Sequence, residues 1–352
     1  MWSELAMVAR NVASAAKSRT PSSGSLNPDL DRVVEVLTRD YRNIDGTELV
    51  EHRWAELCSG YRLDATERAL LALSVAGNID HNFALAFGLL EGIGHADLPS
   101  VALALELADI PVLSAGRSAL GPASTLVHHD LVIIDGLGPL PSRRIRVADE
   151  LVSHLLGDDS GDPAVAAVQV LPVPVDFAVT RVLMAHIDSG ATLCYVHSLP
   201  GTAGLALAAG ALAQLDIAYL AIDLTPSSVV DLPVRSALRQ ATMNRQALIV
   251  VLDGDADRST VGILADALVP VLVVGSKPWQ PEWLSWLPPV VAAEPLSSSG
   301  RLAIWQSLVP SLGENDESAL PAFGLTPEQV RDVANAAMAD AQARQEWRGQ
   351  CI

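Results

Sequence analysis

Between residues 192 and 275, short apolar stretches alternate with helical ones, and that alternation constrains the fold more than any other feature of the chain. Stretches 192–197, 218–223, 247–253 and 270–275 are strand-like, while 201–215, 233–244 and 260–267 carry helical patterns. Such a series predicts a mostly parallel sheet covered by helices, because parallel neighbours need a crossover segment between them. The run Gly-Asp-Asp-Ser-Gly-Asp-Pro at 157–163 is the sharpest boundary ahead of it.

The first of those strands leads into Cys194-Tyr-Val-His-Ser-Leu-Pro-Gly-Thr-Ala-Gly-Leu205. A working phosphate loop reads G-x-x-x-x-G-K-[ST] between a strand and a helix. Its lysine meets the β- and γ-phosphates, its hydroxyl holds Mg²⁺, and its glycines let backbone N–H groups approach the phosphates. Here Pro200, Gly201 and Thr202 keep the centre of the loop. Ser198 stands at the first glycine, Ala203 at the second, Gly204 at the lysine and Leu205 at the hydroxyl. The chain has two lysines, Lys17 and Lys277, and neither is expected near the loop, which leaves no lysine to replace the missing one.

Three further features bear on chemistry. The strand 247–253 ends in Asp253, where a nucleotidase places a Mg²⁺-organising carboxylate, but Gly254 follows instead of a water-polarising glutamate. Asp255 and Asp257 come next, and Asp-Gly-Asp-Ala-Asp also reads as a plain turn. A calcium loop counted from Asp253 fails, because its sixth and twelfth positions are Arg258 and Leu264. The strand 270–275 leads to Ser276, the position of a polar sensor for the γ-phosphate. Trp279, Trp283 and Trp286, set among Pro278, Pro281, Pro288 and Pro289, are candidates for an interface anchor, with packing of a short helix as the plainer reading. His128, His129 and His197 lack partners at metal-ligand spacing, and Ser198 is not in a G-x-S-x-G elbow.

Upstream, residues 1–28 end in Ser/Pro/Gly-rich sequence and read as a mobile arm or as a peripheral helix plus linker. Helical spacing runs from 29 to 94, with Asp64-Ala-Thr-Glu67 a capping box that starts a helix near Ala65. A strand at 126–135, a turn cluster at 136–143, a return strand at 143–147 and a helix at 149–156 together resemble a winged-helix unit with its wing at 136–143. Thr326-Pro-Glu-Gln opens a final helix over 326–347. The expected division is an arm to 28, a helical and winged-helix-like domain over 29–157, an α/β module over 164–310 and a helical lid over 311–352.

At 352 residues the chain is long enough for two domains. Its formal charge of −18 opposes binding to a phosphate backbone or an anionic membrane, so the wing is assigned to protein contact or packing. The three cysteines, Cys58, Cys194 and Cys351, give neither a disulfide framework nor a zinc spacing. The Ala/Leu-rich stretch 205–215 stops at Asp216, and the first 25 residues carry too short an apolar run for a secretory signal. The expectation is a soluble cytoplasmic protein.

Taken in order, residues 178–352 resemble the AAA+ ATPase family: strand, phosphate-loop-like turn, helix, strand, helix, Asp-ended strand, sensor-like strand, helical segment. The wording is similar to bacterial proteins that pair a degenerate first AAA+ module with an active second one, some of them accompanying contractile injection systems. The likeness extends upstream through 61–107 and 136–157, and takes in Arg301 and Ile304-Trp305. The resemblance implies a P-loop three-layer module with a helical lid. It makes Pro200, Gly201, Thr202, Ala203 and Gly204 the phosphate-facing turn, Asp253 the Mg²⁺ carboxylate, Ser276 the sensor and Arg331 a lid arginine. ATP or ADP with Mg²⁺ is the ligand it implies, and self-association or another AAA+ module the partner, with a second module expected beyond Ile352. The missing lysine, hydroxyl and glutamate together imply a pseudo-ATPase with a regulatory or assembly role. The alternatives are an active ATPase in which Arg331 or a neighbour's arginine replaces the lysine, and a scaffold that never meets nucleotide.

Overall fold

The capping signal at Asp64 closes in full in the computed structural model: Glu67 N–H donates to the Asp64 carboxylate at 2.8 Å, and Asp64 N–H to the Glu67 carboxylate at 3.1 Å. The structure describes residues 1–19, 28–37, 47–93, 98–111, 113–225, 231–252, 258–309, 313 and 319–350. The chain divides into two compact units, Met1–Asp162 and Pro163–Ile352.

The N-terminal unit contains α1 (Trp2–Ser18), α2 (Pro28–Leu37), α3 (Thr47–Gly60), α4 (Ala65–Ile79), α5 (His81–Glu91), α6 (Val101–Leu107) and α7 (Thr125–His128). The hairpin β1 (Val132–Asp135) and β2 (Arg144–Val147) follows, then α8 (Asp149–Leu155). Residues 2–18 form a helix, the second of the two readings of this segment. Leu5, Val8, Val12 and Ala16 recur at helical spacing and are buried, so α1 packs against α4, α5 and α6. Asn11 fixes its register by donating to the Leu107 carbonyl at 2.6 Å. The strand expected from 126 is shorter than its apolar pattern. Ser124 caps a helical turn at Thr125–His128, Asp130 takes a positive φ of 53°, and only then does β1 begin. The hairpin is antiparallel in the register Val132↔Val147 to Asp135↔Arg144, with the turn at 136–143 as expected. Gly136 and Gly138 adopt φ of 109° and 105° there, values that favour glycine.

The C-terminal unit runs α9 (Pro163–Ala166), α10 (Thr180–Asp188), β3 (Leu193–His197), α11 (Gly204–Gln214), β4 (Tyr219–Asp223), α12 (Asp231–Met243), β5 (Ala247–Val251), α13 (Arg258–Ala265), β6 (Val271–Gly275) and β7 (Val290–Ala292). Two helices, α14 (Ser298–Leu308) and α15 (Pro327–Gln350), complete it. The sheet order is β4-β5-β6-β3-β7, and every pair is parallel. Successive strand residues point to opposite faces. Leu193, Tyr195, Leu248, Val250, Val271 and Val273 face a core with α12 and α13, whereas Cys194, Val196, Ile249, Leu272 and Val274 face α10 and α11. Burial on both faces explains why these strands are continuously apolar rather than alternating. β7, whose three residues carry no strand signal beyond Val-Val, was not anticipated.

A smaller cluster joins α14 to α15 through Leu296, Ile304, Trp305, Val330 and Ala334. The N-terminus of α15 is capped as its sequence predicts, with Thr326 and Gln329 exchanging hydrogen bonds of 3.0 and 3.3 Å. Among the described residues no single helix is long and apolar enough to cross a membrane. The bent pair α4–α5 passes by length and composition, with a break of 111°, and its apolar residues lie in the core of the N-terminal unit.

Segment 175–177 crosses α11 so closely that a Cβ on Gly210 would lie 2.1 Å from the Val175 carbonyl oxygen. Backbone cannot yield as a side chain does, so Gly210→Ala is expected to destabilise the protein by about 1–3 kcal/mol. A Cβ on Gly262, inside α13, meets nothing within 4 Å. Gly262→Ala is expected to stabilise by roughly 0.5–1 kcal/mol, and urea unfolding of the two variants checks both signs.

Candidate functional site

Strand order places the phosphate-loop-like turn at a topological switch point. β3 leads through α11 to one face, and β6, its immediate neighbour, lies among strands whose helices α12 and α13 cover the other. The crevice at the carboxyl ends of such strands is where open α/β sheets bind ligands. His197, Ser198 and Ser276 meet there. Ser198 N–H donates to the Gly275 carbonyl at 2.8 Å, and the His197 ring donates through Nε2 to the Ser276 carbonyl at 3.0 Å. Lys277, distant in sequence, is brought to the same end of the sheet, where its carbonyl accepts the Tyr195 hydroxyl at 2.5 Å.

The loop itself is closed by its own groups. Gly204 N–H donates to Ser198 Oγ at 3.1 Å, Ala203 N–H to the Glu294 carbonyl at 3.2 Å, and Thr202 N–H to the Leu199 carbonyl at 2.9 Å. The Thr202 hydroxyl donates to the same Leu199 carbonyl at 2.8 Å and lies 3.0 Å from Ser198 Oγ. Gly201 makes the turn with φ of 85°, while Ala203 and Gly204 are buried. A working loop would offer these N–H groups to phosphate. Leu205, in place of the metal-binding hydroxyl, packs against the core cluster around α11.

The N–H groups of residues 202–204 are engaged within the protein, and the lysine position is crowded by Ser198 and Val274. A Cβ on Gly204, the lysine position, would lie 2.4 Å from Ser198 Cβ and 2.9 Å from Val274 Cγ1. Asp253, proposed for the metal, lies outside the described residues, as do Gly254, Asp255 and Asp257.

Other residues singled out from sequence fall elsewhere. Arg331 is tied through Nη1 to the Leu171 carbonyl and through Nε and Nη2 to Asp332, each at 3.2 Å for the latter pair. Trp283 is buried in the core against α12 and α13, and the partly buried Trp279 packs against the same cluster. Their rings meet edge-on at 5.1 Å and stack around Tyr195, at 5.4 and 6.3 Å, because large aromatic surface gains most by burial against the sheet. Trp286 stands apart at 44 % exposure, beside the exposed Leu287. Burial pushes the Cys58 and Cys194 thiols up to about 11, which removes both as nucleophiles at neutral pH. Among the described residues, no group of three or more His, Cys, Asp or Glu could hold a metal ion. Ser198 is the residue whose role was missed. The sequence signal was there, a hydroxyl six residues before a glycine that replaces lysine, but only the fold shows the two in contact.

In the N-terminal unit the hairpin arginines are internally engaged: Arg144 with Glu91, Arg146 with Asp135, and Arg143 Nε with the Gly138 carbonyl at 2.9 Å. Leu137 protrudes fully from the turn. At the end of the unit Arg53 donates to both Asp159 oxygens at 2.6 and 2.8 Å and to the His154 carbonyl at 2.5 Å, while His154 Nδ1 approaches Asp159 at 2.9 Å.

The family model described as "Winged helix domain, variant" matches residues 10–169, a span that starts within α1 and includes the hairpin. The N-terminal region is therefore a winged-helix region. No curated protein matches the chain.

The hydrogen bonds from Arg53 hold the Asp159 carboxyl below its ordinary value of 3.8, against the opposing effect of burial and with help from His154. A depressed folded value contributes stability above the unfolded value and loses it as pH falls through the folded one. Thermal melts of wild type and Asp159→Asn should therefore differ at pH 6 and converge below pH 3.8. A gap that persists unchanged at pH 2.5 would show that the ion pair is not its source.

Proposed function

We propose that the C-terminal unit is a degenerate AAA+-like P-loop module and that the protein has a regulatory or assembly role, making protein contacts within an ATPase complex without hydrolysing nucleotide. The observation that carries this reading is the Ser198–Gly204 contact in a turn whose position is that of a phosphate loop. Three further features favour it. The loop strand β3 adjoins the sensor-like strand β6, and the strand leading to Asp253 lies one further along, so their carboxyl ends share one edge. The unit has helices on both sheet faces and a separate α14–α15 cluster, which this reading takes as the lid. A side chain at the lysine position would collide with Ser198 and Val274.

Within this reading the wing serves protein contact. Its arginines are engaged with Glu91, Asp135 and Gly138, its tip presents Leu137, and the chain carries a formal charge of −18. The active-ATPase alternative requires Arg331 or a neighbour's arginine in place of the missing lysine, and Lys277, which follows β6 in the chain, is a further cation to substitute.

Calorimetric titration with Mg²⁺-ATP and Mg²⁺-ADP, followed by a turnover assay on the same sample, tests the proposal. No heat at millimolar nucleotide and no turnover are expected. Binding with turnover that disappears in Lys277→Ala or Asp253→Ala would overturn it.

A further inference from the structure

We infer that Ser198 is a built-in replacement for the phosphate group: its hydroxyl occupies the anion-binding position of the turn and holds the loop closed. The inference rests on the reading of 198–204 as a former phosphate loop, and it goes further by assigning what filled the loop and why two substitutions belong together.

The proton positions follow by elimination. A threonine hydroxyl has one proton, and that of Thr202 goes to the Leu199 carbonyl at 2.8 Å, which can only accept. In the 3.0 Å contact between the two hydroxyls, Ser198 is therefore the donor and Thr202 the acceptor. Ser198 Oγ keeps its lone pairs for the Gly204 N–H at 3.1 Å. The result is a directed chain, Gly204 N–H to Ser198, Ser198 to Thr202, Thr202 to Leu199. It caps the first turn of α11, whose own N-cap residue, Ala203, has no side chain able to do so. With Ala203 N–H held by Glu294 and Thr202 N–H by Leu199, these three consecutive donors are all engaged within the protein.

The steric side points the same way. Ser198 Cβ and Oγ lie 2.4 and 2.5 Å from where a Cβ on residue 204 would sit. A side chain at 198 thus requires none at 204. The glycine lost from the start of the motif and the lysine lost from its end are one compensated change, and restoring lysine alone cannot rebuild the site.

A thermal double-mutant cycle with Ser198→Gly, Gly204→Ala and the pair tests this. Gly204→Ala alone is expected to lower Tm by roughly 4–8 °C, on the scale of about 2–4 °C per kcal/mol for a unit of this size. In the Ser198→Gly background at least half of that loss should vanish, the remainder reflecting Val274. Additive effects would overturn the inference. Should Gly204→Ala fail to fold, amide exchange at Gly204 decides independently. Protection should fall at least tenfold in Ser198→Ala and survive in Ser198→Thr, while unchanged protection in Ser198→Ala would overturn the assignment. The functional reading fails separately, through nucleotide binding to the wild-type protein, which these variants do not measure.

Discussion

Parallel pairing of β3 with β6 in a sheet buried on both faces is the constraint on which the C-terminal unit depends. It places Cys194 and Val196 toward α11 and Leu193 and Tyr195 toward α12, α13 and the tryptophans. It also sets His197 against Gly275, so that the turn after β3 and the turn after β6 emerge side by side. Tyr195 reinforces this from below through its hydrogen bond to the Lys277 carbonyl and its contact with Trp279. Remove that pairing and neither the loop nor its surroundings has a reason to exist.

What the pairing delivers is a phosphate-loop-like turn in which polar groups satisfy one another. An empty loop of this kind leaves several N–H donors for water or ligand, at a cost whenever they are buried. Here Ser198, Thr202, Leu199 and Glu294 take up those donors. The turn's polar groups are thus satisfied within the protein, as the proposed non-hydrolysing role requires.

Sequence reasoning reached the strands with continuous apolar runs because burial on two faces leaves no ambiguity of pattern. It reached the Asp64 and Thr326 caps because side-chain chemistry at a helix start is local. It left α1 undecided between an arm and a helix, because the buried stripe contains small alanines between Leu5, Val8 and Val12 and a Ser/Pro/Gly-rich segment follows. It missed β7, where pairing with β3 decides the conformation of three residues. Trp279 and Trp283 could not be assigned from spacing, since an anchor and a core tryptophan read alike until Tyr195 is seen beneath them. In the loop, the departures at 198 and 204 were visible as losses, but their mutual contact is a tertiary fact. The winged-helix region was visible from the order of its elements, and the family match over 10–169 supports it.

The central claim is that the loop is closed by Ser198 and stays closed in the presence of nucleotide. The most direct measurement is the hydrogen-exchange rate of the Gly204 amide in wild-type protein, with and without millimolar Mg²⁺-ATP. The account predicts a protected amide whose rate does not change on adding nucleotide. A fast amide without nucleotide that becomes protected when Mg²⁺-ATP is added would contradict it, and would show an open loop that takes phosphate.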